Sequence, residues 1–131
     1  AVGLGPSKGK DFATSLGPWL APWSALKDRY RKGRLELGMR GFVNGRELSN
    51  GRAESMHWTW PQLLAHASRD TRLLPGDVLG SGTVGSGCLL ELTPERSGGW
   101  LKAGDLVELS IEAIGTLRTP VVATGMSRLG N

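Results

Sequence analysis

Residues 35–48 read LELGMRGFVNGREL, and this stretch predicts a β-hairpin. Leu35, Leu37 and Met39 alternate with polar or small residues, which is typical of a strand. Asn44 and Gly45 follow at the point of reversal, and both central positions of a two-residue type I′ turn require positive φ, which these residue types tolerate. The stretch therefore favours a β-rich fold.

Further strand patterns follow along the chain, separated by Gly and Pro turns. Residues 105–114 alternate cleanly, with Val107, Leu109, Ile111 and Ala113 predicted on one face and polar side chains on the other. Shorter strands are predicted over residues 15–25, 77–80, 88–92 and 117–123, and residues 80–87 are predicted to form a loop.

One short helix is expected between these strands. Thr59 is a suitable N-cap, and Pro61 falls in the first turn, where its missing N–H leaves no helical hydrogen bond unmade. This helix is predicted to end near Arg69. Many short strands with few helices indicate a mainly β domain with short helices, of the α+β class.

Composition limits the protein class. The 131 residues are 39% hydrophobic, enough for one domain but not for two ordinary ones. A single cysteine, Cys88, cannot form an intramolecular disulfide, so a cytoplasmic location is predicted. No run of about 18 apolar residues is present, so no membrane partner is expected.

Basic residues crowd around Tyr30, and the net charge is +4. This crowding is compatible with a phosphate or nucleic-acid patch, or with a solvated loop after Pro22. We favour the solvated loop, and therefore no nucleic-acid partner. The basic residues are Lys27, Arg29, Arg31, Lys32 and Arg34.

Two further stretches carry the functional information. Residues 9–19 read GKDFATSLGPW, and residues 75–92 read PGDVLGSGTVGSGCLLEL. Together and in this order they resemble the carboxy-terminal part of the catalytic domain of fumarylacetoacetate hydrolase family enzymes. The resemblance continues through residues 43–47, 56–60, 65–68, 101–108 and 114–117, so residues 1–131 are expected to be that carboxy-terminal portion.

The resemblance implies a rolled mixed β-sheet and a homodimer. It also implies a metal-dependent hydrolase that cleaves a C–C bond in a β-diketo acid such as fumarylacetoacetate or an acylpyruvate, in tyrosine or other aromatic catabolism. The metal would be Mg²⁺ or Ca²⁺, with Mn²⁺ a third candidate. In that chemistry a metal ion polarises the substrate oxygens and a histidine activates water.

The resemblance also implies site residues. Lys10 and Thr14 correspond to metal-site residues, and Lys10 would also stabilise the enolate leaving group. Thr83, in the glycine-rich loop, corresponds to a substrate-binding residue. Glu91 corresponds to a glutamate that supports the catalytic histidine, and we favour that role over the alternative of a solvent-facing carboxylate on an edge strand.

The family's acidic metal ligands and catalytic histidine lie upstream of the lysine segment, and no match for them is found in these residues. The chain is thus expected to carry an incomplete active site. Two alternatives stay open: an isomerase or decarboxylase of 2-oxo acids on the same scaffold, and a non-catalytic fragment or binding module.

Overall fold

Two hairpins supply the main sheet of the protein. The computed structural model describes residues 13–17 and 19–123. Its strands are β1 (Tyr30–Arg31), β2 (Arg34–Leu35), β3 (Gly38–Val43), β4 (Arg46–Arg52), β5 (Leu106–Ile111) and β6 (Gly115–Pro120). Its α-helices are α1 (Trp23–Leu26), α2 (Trp60–Ala67) and α3 (Pro94–Ser97), and 3-10 turns span Lys27–Arg29, Ala53–Ser55 and Leu89–Glu91.

The main sheet has the order β4-β3-β5-β6, and every neighbouring pair is antiparallel. Strands β1 and β2 form a separate two-stranded ribbon. A sheet-dominated fold with short helices is therefore confirmed.

The predicted reversal between β3 and β4 is confirmed. Asn44 has φ 51° and Gly45 has φ 78°, as a type I′ turn requires. The first strand begins at Gly38 rather than Leu35, because Leu35 pairs with Tyr30 across a second tight turn at Lys32 and Gly33.

The alternation predicted for β5 is confirmed over Leu106–Ile111 and divides the sheet into two faces, whereas Ala113, predicted on the apolar side, lies in the turn after the strand with φ 61°. Pairing across the ladder places Met39, Gly41, Leu109 and Ile111 on one side, called here the apolar face. The opposite face is polar: Glu108 accepts from Arg118 (2.7 Å), Arg40 pairs with Glu47, and Thr116 donates to Ser110 (3.1 Å).

A β-bulge in β4 adjusts this alternation. Gly41 pairs with Ser49 and Phe42 with Glu47, so Leu48 has no partner of its own on β3. Leu48 and Ser49 are both buried as a result, although they are consecutive.

Helix α2 begins as predicted, with a complete capping box. The hydroxyl of Thr59 accepts from the backbone N–H of Gln62, whose side chain accepts from the backbone N–H of Thr59. The helix ends at Ala67, two residues before the predicted end.

Other predicted strands are wrong. Residues 77–80 have no regular structure, because the chain turns at residues 75–76 and the Asp77 carboxylate accepts the Leu74 N–H (2.8 Å). The predicted strand over residues 15–25 is also absent: residues 15–17 and 19–22 have no regular structure, and helix α1 begins at Trp23; residue 18 lies outside the description. The last strand is Gly115–Pro120, earlier than predicted.

The core of the described part is small. Leu26, Leu37 and Leu48 are its buried hydrophobic side chains, while Trp100 is 67% exposed and Leu90 72%. Within residues 13–17 and 19–123, no helix has the length and hydrophobicity needed to cross a membrane.

Candidate functional site

The candidate site lies between the apolar face and residues 80–87, called here the glycine loop. The loop contacts β4 at Gly51 and Ser49, and together with the sheet it lines a half-open cavity of about 220 Å³. Leu109 is 50% exposed on the sheet side, so the apolar face is not filled. The cavity is lined by Met39, Arg40, Gly41, Ser49, Gly82, Thr83, Val84, Gly87, Leu109, Ser110 and Ile111.

Thr83 stands at this cavity, where the sequence predicts substrate contact. Thr83 is exposed and lies in a part of the loop that has no regular structure. The tight turn that follows is closed by the N–H of Gly87, which donates to the carbonyl of Val84 (2.7 Å). A hydroxyl beside glycine backbone can meet a carboxylate or carbonyl oxygen without steric conflict.

Glu91 lies at the end of a 3-10 turn, so the predicted strand over residues 88–92 is wrong. Local bonds explain the turn: the N–H of Glu91 donates to Cys88 (2.9 Å) and that of Leu92 to Leu89 (3.1 Å). The side chain is exposed, and its Oε2 accepts the backbone N–H of Ser86 (2.8 Å). The carboxylate therefore contacts the glycine loop directly.

The predicted metal-site pair is described only in part. Thr14 is exposed in a segment without regular structure. Lys10 lies outside the described residues, so the structure does not test whether it meets Thr14 or Thr83.

The described residues do not fit a divalent metal by themselves. Hard cations require several converging oxygen ligands. In the part of the chain that the structure describes, no group of three or more His, Cys, Asp or Glu side chains could hold an ion. Acidic ligands for a metal would have to come from outside this part.

The basic stretch around Tyr30 forms a ribbon rather than the predicted loop. Arg29 donates to Glu112 (2.7 Å), and Arg34 donates to the carbonyls of Met56 (2.9 Å) and His57 (2.7 Å). Arg31 also donates to the carbonyl of Tyr30 (3.0 Å), so three of the five basic side chains bond to protein groups, which weakens the case for a polyanion-binding patch.

Carboxyl groups with shifted pKa values lie in structural contacts. The Lys102 N–H and the Asn44 amide lower the pKa of Asp105, and the Gly38 N–H and Arg29 lower the pKa of Glu112. Each group ties a strand end to a neighbouring segment. These pKa shifts therefore mark contacts that hold the fold together.

Comparison with known proteins decides the family. Residues 2–122 match the family model described as fumarylacetoacetate (FAA) hydrolase C-terminal. The chain belongs to the fumarylacetoacetate hydrolase family. The recognition made from residues 9–19 and 75–92 is therefore confirmed.

Relatives of this fumarylacetoacetate hydrolase family chain include a 2,4-didehydro-3-deoxy-L-rhamnonate hydrolase of Sphingomonas sp. (strain SKA58). The two are 35% identical over 117 residues, which cover 87% of this chain and 37% of the relative. The chain therefore spans little more than a third of that relative's length.

Solved structures of the family are similar in fold. A fumarylacetoacetate hydrolase from psychrophilic Exiguobacterium antarcticum has a TM-score of 0.57 at 29% identity, over 75% of this chain and 33% of that one. A 5-carboxymethyl-2-hydroxymuconate delta-isomerase from Mycobacterium smegmatis has a TM-score of 0.56 at 30% identity, over 68% of this chain and 31% of that one.

Sequence reasoning missed the residues that hold the loop of this family member against its sheet. Gly51 faces Val84, and Ser86, with φ 66°, has its hydroxyl 3.5 Å from that of Ser49. No local pattern could have found these contacts, because they depend on how the loop lies beside β4. Of these features, the glycine-rich sequence indicates only the unusual backbone conformation, which Ser86 adopts with its positive φ.

Proposed function

We propose that the full-length gene product is a hydrolase that cleaves a C–C bond in a β-diketo acid such as fumarylacetoacetate or an acylpyruvate. Membership of the fumarylacetoacetate hydrolase family supports this class. The Sphingomonas relative is named for its hydrolysis of a 2,4-didehydro acid, in which two carbonyl groups stand in a 1,3 relation. An acylpyruvate has the same relation between its carbonyl groups.

The observation that carries the proposal is the half-open cavity under the glycine loop. One side offers the Thr83 hydroxyl and glycine backbone, and the other offers Met39, Leu109 and Ile111. A 2,4-dioxo acid has the matching halves, a polar keto acid end and a less polar acyl chain. We assign the polar end to the loop and the acyl chain to the apolar face.

The reaction balances without an added oxidant or reductant. Water adds its oxygen to the acyl carbonyl carbon, and the bond between that carbon and the methylene breaks. The methylene takes up a proton and becomes the methyl group of pyruvate, while the acyl group leaves as a carboxylic acid.

Roles for this chain's residues follow. Thr83 would bind the substrate, and Lys10 would stabilise the negative charge that develops on the leaving enolate. Glu91 would support the group that activates water while its Oε2 accepts the Ser86 N–H. Thr14 would lie beside Lys10 at the metal site.

The family generally depends on a divalent metal ion. Mg²⁺, Ca²⁺ and Mn²⁺ are the candidates, and their acidic ligands would come from outside the described residues. The homodimer, the cytoplasmic location and the place in aromatic or tyrosine catabolism stay predictions.

The test is pyruvate release from acetylpyruvate by the full-length gene product with added MgCl₂. We expect one pyruvate and one acetate for each acetylpyruvate consumed, and loss of activity after treatment with EDTA. Consumption without pyruvate, or no consumption with any of the three metals, would contradict the proposal.

An isomerase is the second candidate, because one similar structure is an isomerase of a carboxymethyl-hydroxymuconate. That activity would move a double bond and leave the carbon skeleton intact. Incubation with 5-carboxymethyl-2-hydroxymuconate separates the two, since an isomerase changes the ultraviolet spectrum at constant mass. A binding module would give neither result.

A further inference from the structure

Gly51 of β4 makes a close contact with the glycine loop. A Cβ added at Gly51 would overlap Cγ2 of Val84 and lie 3.4 Å from its Cβ and Cγ1. Gly51 does not have positive φ, so its backbone conformation does not require glycine. The close approach of Val84 favours glycine instead, because a side chain at this position would force the Val84 side chain, or the loop that carries it, to shift.

The loop is held at two further points beyond Val84. The N–H of Ser86 donates to Glu91 Oε2 (2.8 Å), and its hydroxyl lies 3.5 Å from that of Ser49, two residues before Gly51 on the same strand. A Cβ added at Gly87 would lie 2.7 Å from the carbonyl oxygen of Val84. Residues 84–87 are therefore a compact turn fastened to β4.

The chain before this turn is less constrained. Residues 71–83 are all exposed, and a Cβ added at Gly76, Gly80 or Gly82 would meet no atom within 4 Å. Thr83 stands at the boundary, directly before Val84. The contact between Val84 and Gly51 therefore marks the position at which the loop begins to pack against β4.

We propose that Gly51 is a positioning residue, whose missing side chain forms a notch that receives Val84 and thereby places Thr83 over the apolar face. This proposal rests on the proposed function in one respect, the role of Thr83 as the residue that binds substrate. A larger residue at position 51 would lift Val84 from the sheet and move Thr83 away from a bound keto acid.

The experiment uses the full-length gene product and two readouts. Hydrogen–deuterium exchange of residues 84–87 reports whether the loop is fastened, and KM and kcat for acetylpyruvate report its use. We expect Gly51→Ala to speed the exchange and raise KM roughly tenfold, with a smaller change in kcat, because the loop binds substrate and performs no bond breaking.

Compensation distinguishes positioning from general damage. Val84→Ala removes the atoms that the new methyl would overlap, so Gly51→Ala with Val84→Ala should recover most of the wild-type KM and loop exchange. Gly80→Ala adds a methyl group to the same loop where no atom lies within 4 Å, and it should leave exchange of residues 84–87 unchanged.

Each outcome decides the proposal. Unchanged loop exchange in Gly51→Ala, or a double variant no better than Gly51→Ala, overturns the notch. If Gly51→Ala does not fold, Val84→Ala alone should still speed exchange of residues 84–87 and raise KM. Exchange and KM equal to those of the wild type in Val84→Ala would contradict the proposal. A wild type that hydrolyses no acetylpyruvate overturns the proposed function, and loop exchange then decides the notch separately.

Discussion

At the scale of single residues, Glu112 connects three segments of the protein. Its Oε1 accepts from Arg29 (2.7 Å), its Oε2 accepts the backbone N–H of Gly38 (3.0 Å), and Arg52 Nη1 lies 4.0 Å from the same oxygen. The Gly38 N–H and the Arg29 guanidinium hold the pKa of Glu112 below its usual value of 4.5. The contacts favour the ionised form.

We predict that Glu112→Gln lowers the melting temperature at pH 7 by a few degrees and flattens the acid limb of the stability curve. Because the folded-state pKa is lowered, the stabilisation is complete above about pH 4.5 and is lost as pH falls through the lowered pKa. Thermal unfolding between pH 3 and pH 7 measures both effects.

Glu108 provides the matched control, since its carboxylate pairs with the exposed side chain of Arg118 across β5 and β6. The Arg118 side chain is 66% exposed, and a single ion pair with so exposed a partner contributes little. Glu108→Gln should therefore leave the melting temperature nearly unchanged. Equal effects of the two substitutions would show that the three-segment contact of Glu112 is not specifically stabilising.

At the scale of elements, the turn between β3 and β4 also fixes the start of β5. Asn44 donates its side-chain N–H to Asp105 Oδ1 (2.9 Å), its Oδ1 accepts the N–H of Leu106 (2.9 Å), and its backbone N–H donates to the Leu106 carbonyl (2.9 Å). One residue therefore serves both the hairpin turn and the neighbouring strand.

Two substitutions of Asn44 separate these roles. Asn44→Gly keeps the positive φ but loses the side-chain bonds, whereas Asn44→Ala loses the bonds and also strains the backbone. We expect both substitutions to destabilise the fold. The free energy of unfolding of Asn44→Ala should be about 1 kcal/mol lower than that of Asn44→Gly, because alanine is strained in the left-handed backbone conformation. Urea unfolding of the full-length gene product measures the difference, and equal stabilities would contradict the strain argument.

Local signals explain which elements the sequence predicts. Asn44–Gly45 needs positive φ, Thr59 and Gln62 form a capping box three residues apart, and β5 alternates over six residues. Each of these signals lies within one element. The hairpin, helix α2 and the two-faced strand were therefore predictable.

The failures have non-local or competing causes. Residues 88–92 are apolar enough for a strand, but Glu91 accepts the Ser86 N–H and the chain closes a 3-10 turn. The contact between Gly51 and Val84 depends on how a loop lies beside a strand more than thirty residues earlier, so no sequence window contains it. Residues 83 and 91 were assigned as site residues by family resemblance rather than by local pattern.

At the scale of the whole molecule, the described part exposes much apolar surface. Apolar side chains line a cavity of about 120 Å³, and two of them, Leu90 and Trp100, are strongly exposed; the others are Leu89, Leu92 and Pro94. Contiguous apolar surface of this kind is typical of contact regions between proteins or protein segments.

We predict that the isolated 131-residue chain binds the dye 8-anilinonaphthalene-1-sulfonate, and that replacing Leu90 and Trp100 together with Ser reduces the emission severalfold. The dye reports exposed apolar surface. Replacing the exposed Leu20 with Ser, outside this cavity, is the control. No emission from the wild-type chain would mean that these side chains are already covered.

The most direct test of the central claim measures pyruvate release by the full-length gene product at increasing acetylpyruvate concentrations, for the wild type and for Thr83→Val and Thr83→Ser. The claim is that a β-diketo acid binds between the glycine loop and the apolar face. It predicts saturable release by the wild type, a KM about tenfold higher for Thr83→Val because a hydrogen bond to a charged substrate is lost, and a KM near wild type for Thr83→Ser. No pyruvate from the wild type, or the same KM for all three proteins, would contradict it.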